Sequence, residues 1–381
     1  MDHMVPLAAS TAEVGRATTL PPHVYTDEAW YAFERDAIFA REWLCLGRES
    51  DVPSPGDWVT AEVAGEPLIM VRGRDGAVRV LSAVCQHRSM LVAEGAGTCS
   101  TFRCPYHHWT YGLDGRLLGA PAMHRTEDFD RADYSLPELR CEIWQGFVFA
   151  NLEPTAAPLA PTLTKLDPLL EHFDLAGCRP WAAPDRFPHM PWNWKVMLEN
   201  FNDGYHASRL HAGVHDFCPS DLASFTPWDD ADGAVIRTNG FLHPDGGFNA
   251  LQRAMLPIFP GLSDQERQQV TFALVPPTLT IGAAPDQVFY FLVRPTSAGT
   301  IDLEIGYLFH PDALADPLFE ERYRLSALGV SQIVAQDVAT TTAVQKGLGS
   351  RYARRGRYSW QEEAQAQLNR WLVRRYESAP G

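Results

Sequence analysis

The feature that most constrains this chain is a pair of short segments, Cys85-Gln86-His87 and Cys104-Pro105-Tyr106-His107, separated by sixteen residues. Each joins one thiolate to one imidazole, and each lies in turn-like sequence suited to wrapping a metal. A zinc ribbon or an ordinary iron–sulfur cluster takes four Cys, and classical zinc spacing pairs Cys with Cys and His with His. Here the two residue types are mixed within each pair. That pattern disfavours zinc and leaves a structural zinc site as the rival reading.

Two thiolates on one iron and two imidazoles on the other make a Rieske [2Fe–2S] centre. The stretch from Val84 to Gly115, with its Cys-Pro-Tyr-His-His-Trp run, resembles the cluster-binding region of Rieske proteins. His108 follows His107 directly, where many such proteins carry Gly or Gln. The choice between them rests on the two-residue spacing from Cys104, which selects His107.

Length and composition set the frame. A chain of 381 residues is long enough for about two or three domains. With 45% hydrophobic and 21% charged residues it can bury a proper core. A net charge of −15 argues against nucleic acid as a partner, because phosphate contacts need clustered Lys and Arg. The seven cysteines are odd in number and lack the dense spacing of a disulfide scaffold, so Cys45, Cys99, Cys141, Cys178 and Cys218 read as free thiols in a reducing compartment. No basic segment followed by an apolar run opens the chain, and no window reaches about 18 consecutive apolar residues. The expectation is a soluble cytoplasmic protein with no membrane contact. The opening Met1-Asp2-His3-Met4 reads as a cloning remnant, with Met4 the natural start.

Along the chain, residues 21–44 predict a helix capped near Thr26. Short alternating runs then predict strands at Trp58–Val63, Pro67–Arg72, Val78–Leu81, Arg140–Trp144 and Phe147–Leu152, with both metal-binding pairs in loops between them. The Pro- and Ala-rich segment 154–161 reads as a boundary. Beyond it the pattern is mixed: helix over 162–175 and 194–211, strands at Val288–Val293 and Ile301–Tyr307, and a long helix over 318–346. A last helix runs from Ser359, with Glu362 completing a capping box, to Glu377.

The second constellation is Asn200-Phe201-Asn202-Asp203-Gly204-Tyr205-His206, followed by His211. Asp203 and His206 share a helix face, whereas His206 and His211, five apart, would splay on a regular helix. A π-type distortion or a break after His206 would bring the two imidazoles together. In the long helix, Asp337 falls inside an apolar stripe of Val330, Ile333, Val334, Val338, Thr341 and Val344. A carboxylate on a buried face costs several kcal/mol unless it is paired or bound to metal. Two His and one carboxylate form the facial triad of non-haem Fe(II) oxygenases, with coordination positions left open.

In this order of motifs the chain resembles the catalytic (alpha) subunits of Rieske non-haem iron oxygenases, the ring-hydroxylating oxygenases, over nearly its whole length. The resemblance implies an α+β fold, in which a small antiparallel β Rieske domain is inserted in a helix-grip (START/Bet v1-like) catalytic domain. The boundaries expected are 1–44 for the first part of the catalytic domain, 45–155 for the Rieske domain and 156–381 for the rest. It further implies that Cys85, His87, Cys104 and His107 hold the [2Fe–2S] cluster, and that His206, His211 and Asp337 hold a mononuclear Fe(2+). Asp203 matches the acidic residue that joins the two metal centres across a subunit interface, in a head-to-tail homotrimer or a trimer of αβ pairs.

The function so implied is a terminal oxygenase that uses O2 and a small organic substrate. Its electrons come from a separate flavin reductase or ferredoxin, since no Gly-x-Gly-x-x-Gly fingerprint follows a strand. The Arg351, Arg354, Arg355 and Arg357 cluster is a candidate docking patch for an acidic donor, against the plainer reading of a solvated loop or subunit contact. Hydroxylation of an aromatic and oxidative demethylation of a betaine-type quaternary amine both fit. Phe217, Phe225, Trp228, Phe241 and Phe248 are the aromatic candidates for the pocket, where they would stack on a ring or cage a quaternary ammonium. The alternative of another class is a non-catalytic helix-grip ligand-binding protein with a structural zinc domain.

Overall fold

In the computed structural model the described residues are 7–229 and 231–379, so the Met1–Met4 opening lies outside them. The chain divides into two compact units, Phe39–Pro158 and the remainder up to Ile38 and from Leu159 onward. No helix among the described residues is long and apolar enough to cross a membrane.

The smaller unit is all β. Its strands are β1 (Leu44–Arg48), β2 (Asp57–Val63), β3 (Glu66–Arg72), β4 (Val78–Ser82), β5 (Ala96–Thr98), β6 (Phe102–Arg103), β7 (Thr110–Tyr111), β8 (Leu117–Gly119), β9 (Glu138–Trp144) and β10 (Phe147–Asn151). Seven of them form an antiparallel sheet in the order β1-β10-β9-β4-β3-β2-β5, and β6-β7-β8 form a second, small sheet. The hairpins β2–β3 and β9–β10 close over Ala64-Gly65 and Gln145-Gly146, with φ of 53°, 86°, 51° and 77°. Two successive left-handed residues make the turn whose twist matches the flanking strands, and Gly takes that conformation without strain. Ile69, Val71, Leu81, Trp109, Tyr111 and Leu117 fill the core from which the two metal-binding loops project.

The larger unit begins with helix α1 (Glu28–Glu34), capped by Asp27 rather than Thr26: the Asp27 carboxylate accepts from Ala29 N at 2.8 Å. Over 162–175 the expected helix is replaced by 3-10 turns and one four-residue helix, Asp167–Leu170. The apolar spacing there is helical, but Pro161 and Pro168 lack the N–H that a continuous helix needs. The chain then forms β11 (Asp185–Met190), helices α2 (Trp194–Asn202) and α3 (Gly204–Leu210), and strands β12 (Ala223–Phe225), β13 (Val235–Gly240), β14 (Gln269–Val275), β15 (Leu279–Ala284), β16 (Gln287–Ser297) and β17 (Thr300–Leu308). Helix α4 (Phe319–Leu348) follows, and α5 (Glu363–Ser378) ends the described chain. The seven strands make one antiparallel sheet, β11-β17-β16-β15-β14-β13-β12. This sheet with its helices is the expected α+β architecture.

The capping box before α5 is present. Ser359 N donates to Glu362 Oε2 at 2.6 Å and Gln361 N to Ser359 Oγ at 3.3 Å, through a 3-10 turn that leads into the helix. A buried ion pair ties α1 to α2: Lys195 Nζ lies 2.7 and 2.9 Å from the Glu34 oxygens, which also accept from the Trp194 and Trp30 indoles and the Tyr376 hydroxyl. With neither side chain exposed, every donor around Glu34 matters, because an unmatched charge there would cost several kcal/mol.

Candidate metal centres

The two Cys/His loops are built alike. Cys85 N donates to Met90 O at 2.9 Å and Ser89 N to Cys85 O at 3.0 Å; Cys104 N donates to Trp109 O at 2.8 Å and His108 N to Cys104 O at 3.0 Å. Both thiols are buried, and the His87 and His107 rings meet 4.5 Å apart at 74°. Trp109 stacks flat on His87 at 4.7 Å. The Nδ1 atoms of His87 and His107 are buried and have no hydrogen-bond partner among the described residues. Two orphaned imidazole nitrogens beside two buried thiols are costly as they stand, and a bound metal cluster satisfies all four.

Tyr111 supports the first loop. Its hydroxyl accepts from Gln86 N at 3.1 Å and lies 3.2 Å from Cys85 Sγ, so its own proton is free to be donated to the sulfur. Burial, followed by the neighbouring His107 and Arg88, pulls His87 down, toward the neutral form that a metal would need. His108 is exposed, and its Nδ1 sits 3.1 Å from Arg103 Nη2. The fold therefore gathers Cys85, His87, Cys104 and His107 and turns His108 away.

In the larger unit the chain breaks on both sides of His206, at Asp203 before it and, as expected, after it at His211. Asp203 has extended backbone and caps α3, its Oδ1 accepting from Tyr205 N at 2.7 Å and His206 N at 3.3 Å. His211 stands just past the end of α3, again with extended backbone. Seven residues of helix, about two turns, lie between the two breaks, so of the two expected devices it is the break and not the π-type distortion that is used. It brings the two rings to 5.3 Å.

Asp337 Oδ1 on α4 lies 3.4 Å from His206 Nε2 and 3.3 Å from His211 Nε2, and one ligand atom from each residue falls within 4.8 Å of the others. Each imidazole is oriented from behind. His211 Nδ1 is 2.8 Å from Gln336 Oε1, which accepts its proton. His206 Nδ1 is 3.0 Å from Asp203 Oδ2, near enough for an ion pair but off the line of a hydrogen bond. Both leave Nε2 facing Asp337. Asn200 Nδ2 donates to Asp337 Oδ1 at 3.3 Å.

The charges agree with this geometry. Burial pulls His206 down, but the Asp203 and Asp337 carboxylates outweigh it and raise the imidazole to about 9. Burial raises Asp337, and His206 and His211 overcome that to hold it at about 2. A divalent cation in the place of the imidazolium proton suits such a donor set.

These residues line a cavity that also takes Arg237, Gln287 and six aromatic side chains into its wall: Phe201 from α2, Phe248, Phe272, Phe289, Phe291 and Tyr307. Val330, Ile333 and Val334 of the apolar stripe face it, whereas Val344 is 46% exposed. Of the five aromatics expected there, Phe248 alone lines it. Phe217 and Phe241 stack on each other at 6.1 Å behind Phe248, and Phe225 and Trp228 lie beside Glu363 and Arg370 elsewhere. The lining rings were legible only as alternation, with Phe289 and Phe291 two apart on β16. The arginine cluster is also corrected in part. Arg355 donates to Thr19 O and Ser10 Oγ, and Arg357 to Ala17 O and Gly15 O, so these two are tied to the N-terminal segment.

Residues 176–378 match the family described as ring hydroxylating alpha subunit (catalytic domain), and residues 42–132 match the Rieske [2Fe-2S] domain. The chain belongs to the ring-hydroxylating alpha-subunit family. The family's cofactors are accordingly its own: a Rieske [2Fe–2S] cluster and a mononuclear iron. Among its relatives is the carnitine monooxygenase oxygenase subunit of Escherichia coli (strain K12), 34% identical over 231 residues that make up 60% of each chain. The glycine betaine monooxygenase oxygenase subunit of Pseudomonas aeruginosa (strain UCBPP-PA14) is 30% identical over 234 residues, 60% of this chain and 52% of that protein. The matched stretch thus spans between about half and three fifths of the length of these curated relatives. Among solved structures, a quaternary ammonium Rieske monooxygenase is 25% identical, with a TM-score of 0.80 over 98% of both chains. Naphthalene 1,2-dioxygenase from Rhodococcus sp. shares the fold, at 23% identity and a TM-score of 0.79 over 95% of both chains. The rival reading, a non-catalytic binding protein with structural zinc, finds no support in these matches.

Proposed function

We propose that this alpha subunit is the terminal oxygenase of a multicomponent system. It takes electrons from a separate flavin reductase or ferredoxin and uses O2 to hydroxylate, dihydroxylate or oxidatively demethylate a small aromatic or betaine-type quaternary amine. The observation that carries this reading is the convergence of His206, His211 and Asp337 on the wall of an aromatic cavity.

In this reading Cys85, His87, Cys104 and His107 hold the cluster, and His206, His211 and Asp337 hold the iron. Bound there, the two groups supply one-electron storage and the reduction of dioxygen. The chain's own residues do the rest. Gln336 and Asp203 keep the imidazole Nε2 atoms facing Asp337. The phenylalanines exclude water and orient the substrate. Asp203 is the residue across which one subunit's cluster serves the next subunit's iron, in a head-to-tail homotrimer or (αβ)3 ring, a contact that closes on itself. The Rieske domain runs over 45–155, the catalytic domain over 1–44 and 156–381, and the protein works in the cytoplasm.

The test is a reconstituted assay with a flavin reductase and ferredoxin, screening arenes and betaines for NADH use coupled to oxygenated product. Coupled turnover of any of them is the expected result. A protein that holds cluster and iron yet couples no electron flow to product in the whole screen overturns the reading.

A further inference from the structure

Arg237 is 3% exposed and reaches the cavity from β13. The register puts it in a single rank across the sheet: Phe225 opposite Arg237, Arg237 opposite Phe272, Phe272 opposite Gly282, Gly282 opposite Phe289, and Phe289 opposite Tyr307. Of the members of this rank that line the cavity, Arg237 stands at the end, a cation beside an aromatic floor. Its guanidinium carbon lies 4.1 Å from the centroid of the Phe272 ring. Gly204 backs it so closely that a Cβ there would come within 3.2 Å of Nη1.

The guanidinium is under-partnered. Nη1 donates to Asn239 Oδ1 at 3.2 Å, while Nε is buried with no partner among the described residues. No carboxylate of the described residues forms an ion pair with it. Asp203 carries the charge that acts on it from nearby, but the Asp203 oxygens serve Tyr205 N, His206 N and the His206 ring. Burial lowers the Arg237 pKa to about 10, with Cys218 and Asp203 opposing, so it stays a cation at neutral pH. A buried cation with one of its five donors in use is costly unless something else completes it.

We propose that the substrate is a small organic carboxylate, its carboxylate seated on Arg237 and its body lying over Phe272 and Phe289 toward His206, His211 and Asp337. This rests on the cavity being the substrate site of the oxygenase, and it narrows the substrate class. A neutral arene would leave Arg237 unpaired, and a cation without an acid group would be repelled by it. Two bodies share the required head group: an arene carboxylate, which stacks on the rings, and a betaine, whose quaternary ammonium sits against their faces.

The experiment is calorimetric titration of the cluster- and iron-loaded full chain. Benzoate is compared with benzamide, and γ-butyrobetaine with its methyl ester. At least one carboxylate is expected to bind about tenfold or more tightly than its neutralised counterpart, and which of the two does so identifies the body. Arg237→Gln removes that preference and Arg237→Lys keeps part of it, with iron stoichiometry and cluster absorbance unchanged. The proposal is overturned if wild type binds neither carboxylate, if it binds each no better than its counterpart, or if Arg237→Gln keeps the preference. A wild-type chain that holds no iron would instead overturn the oxygenase reading, so the two failures are distinct.

Discussion

Ser89 and His108 hold the same place in two loops of one design. Each donates its N–H to the carbonyl of the Cys four residues earlier, and each has left-handed backbone, with φ of 56° and 62°. That placement sends the His108 ring outward to Arg103 and leaves His107 against His87. His107→Ala should lose the brown Rieske chromophore while His108→Ala keeps it, read from the visible spectra of the purified variants. The reverse pattern would move the ligand to His108.

Asp337→Ala should leave the cluster spectrum intact and remove most of the mononuclear iron together with all oxygenation. Among the described residues Asp337 is the carboxylate that meets both Nε2 atoms, at 3.4 and 3.3 Å, so its loss would leave two imidazoles without an anionic partner for a metal. Metal analysis beside the spectrum checks this. Full iron stoichiometry with product formation would contradict it.

Asp203→Asn should keep the fold and both metals, because Asn caps a helix as well as Asp does and still accepts from Tyr205 N. Electron flow between cluster and iron should nevertheless fall by orders of magnitude. Single-turnover kinetics on the pre-reduced variant with substrate and O2 measure it, with light scattering to report a trimer. Cluster oxidation at the wild-type rate, or an active wild-type monomer, would count against this role.

Gly282→Ala should destabilise the protein by roughly 1–3 kcal/mol, the usual range for overpacking. A Cβ at Gly282 would run into the Phe289 ring, which lines the cavity, so the ring must shift. Urea denaturation gives the stability change, and weakened substrate binding should accompany it. An unchanged midpoint would mean the sheet gives way instead.

Asp286, fully buried, supplies a pH dependence of its own. Burial raises its carboxyl to about 6, against hydrogen bonds from Leu256 N and Met255 N that lower it. Between the ordinary Asp value near 3.8 and about 6, the folded chain keeps a proton that the unfolded chain has released. Stability from this group therefore falls as pH rises through that window, by about 3 kcal/mol, and is level above it. Asp286→Asn should remove that share of the slope in denaturation midpoints measured across the window. Parallel profiles for the two proteins would refute it.

The metal chemistry was legible because it is local. A ligand set is a matter of residue type and short spacing, so Cys85, His87, Cys104, His107, His206 and His211 stand out within loops of a few residues. Asp337 was legible for a different reason, as an acid on an apolar stripe, and the strands β2–β4, β16 and β17 followed from alternation between turns. The helix over 162–175 was misread because apolar spacing outvoted Pro161 and Pro168, and of the two breaks around His206 only the later one, at His211, was legible.

The sequence by itself determined the family, the two metal-binding motifs and the α+β architecture, since each rests on spacing within one segment or on the order of segments. Tertiary structure alone decided the cavity. Arg237, Phe272, Phe289 and Tyr307 share one rank because four strand pairs settle in a particular register, and the rank meets Phe201 and Val334 only through the packing of α2 and α4 on the sheet. Register depends on hydrogen bonds and side-chain contacts between segments tens of residues apart, and a one-residue slip would turn every one of these side chains to the other face. That long-range choice left Phe217 and Phe241 in the core and made Arg237 a wall of the site.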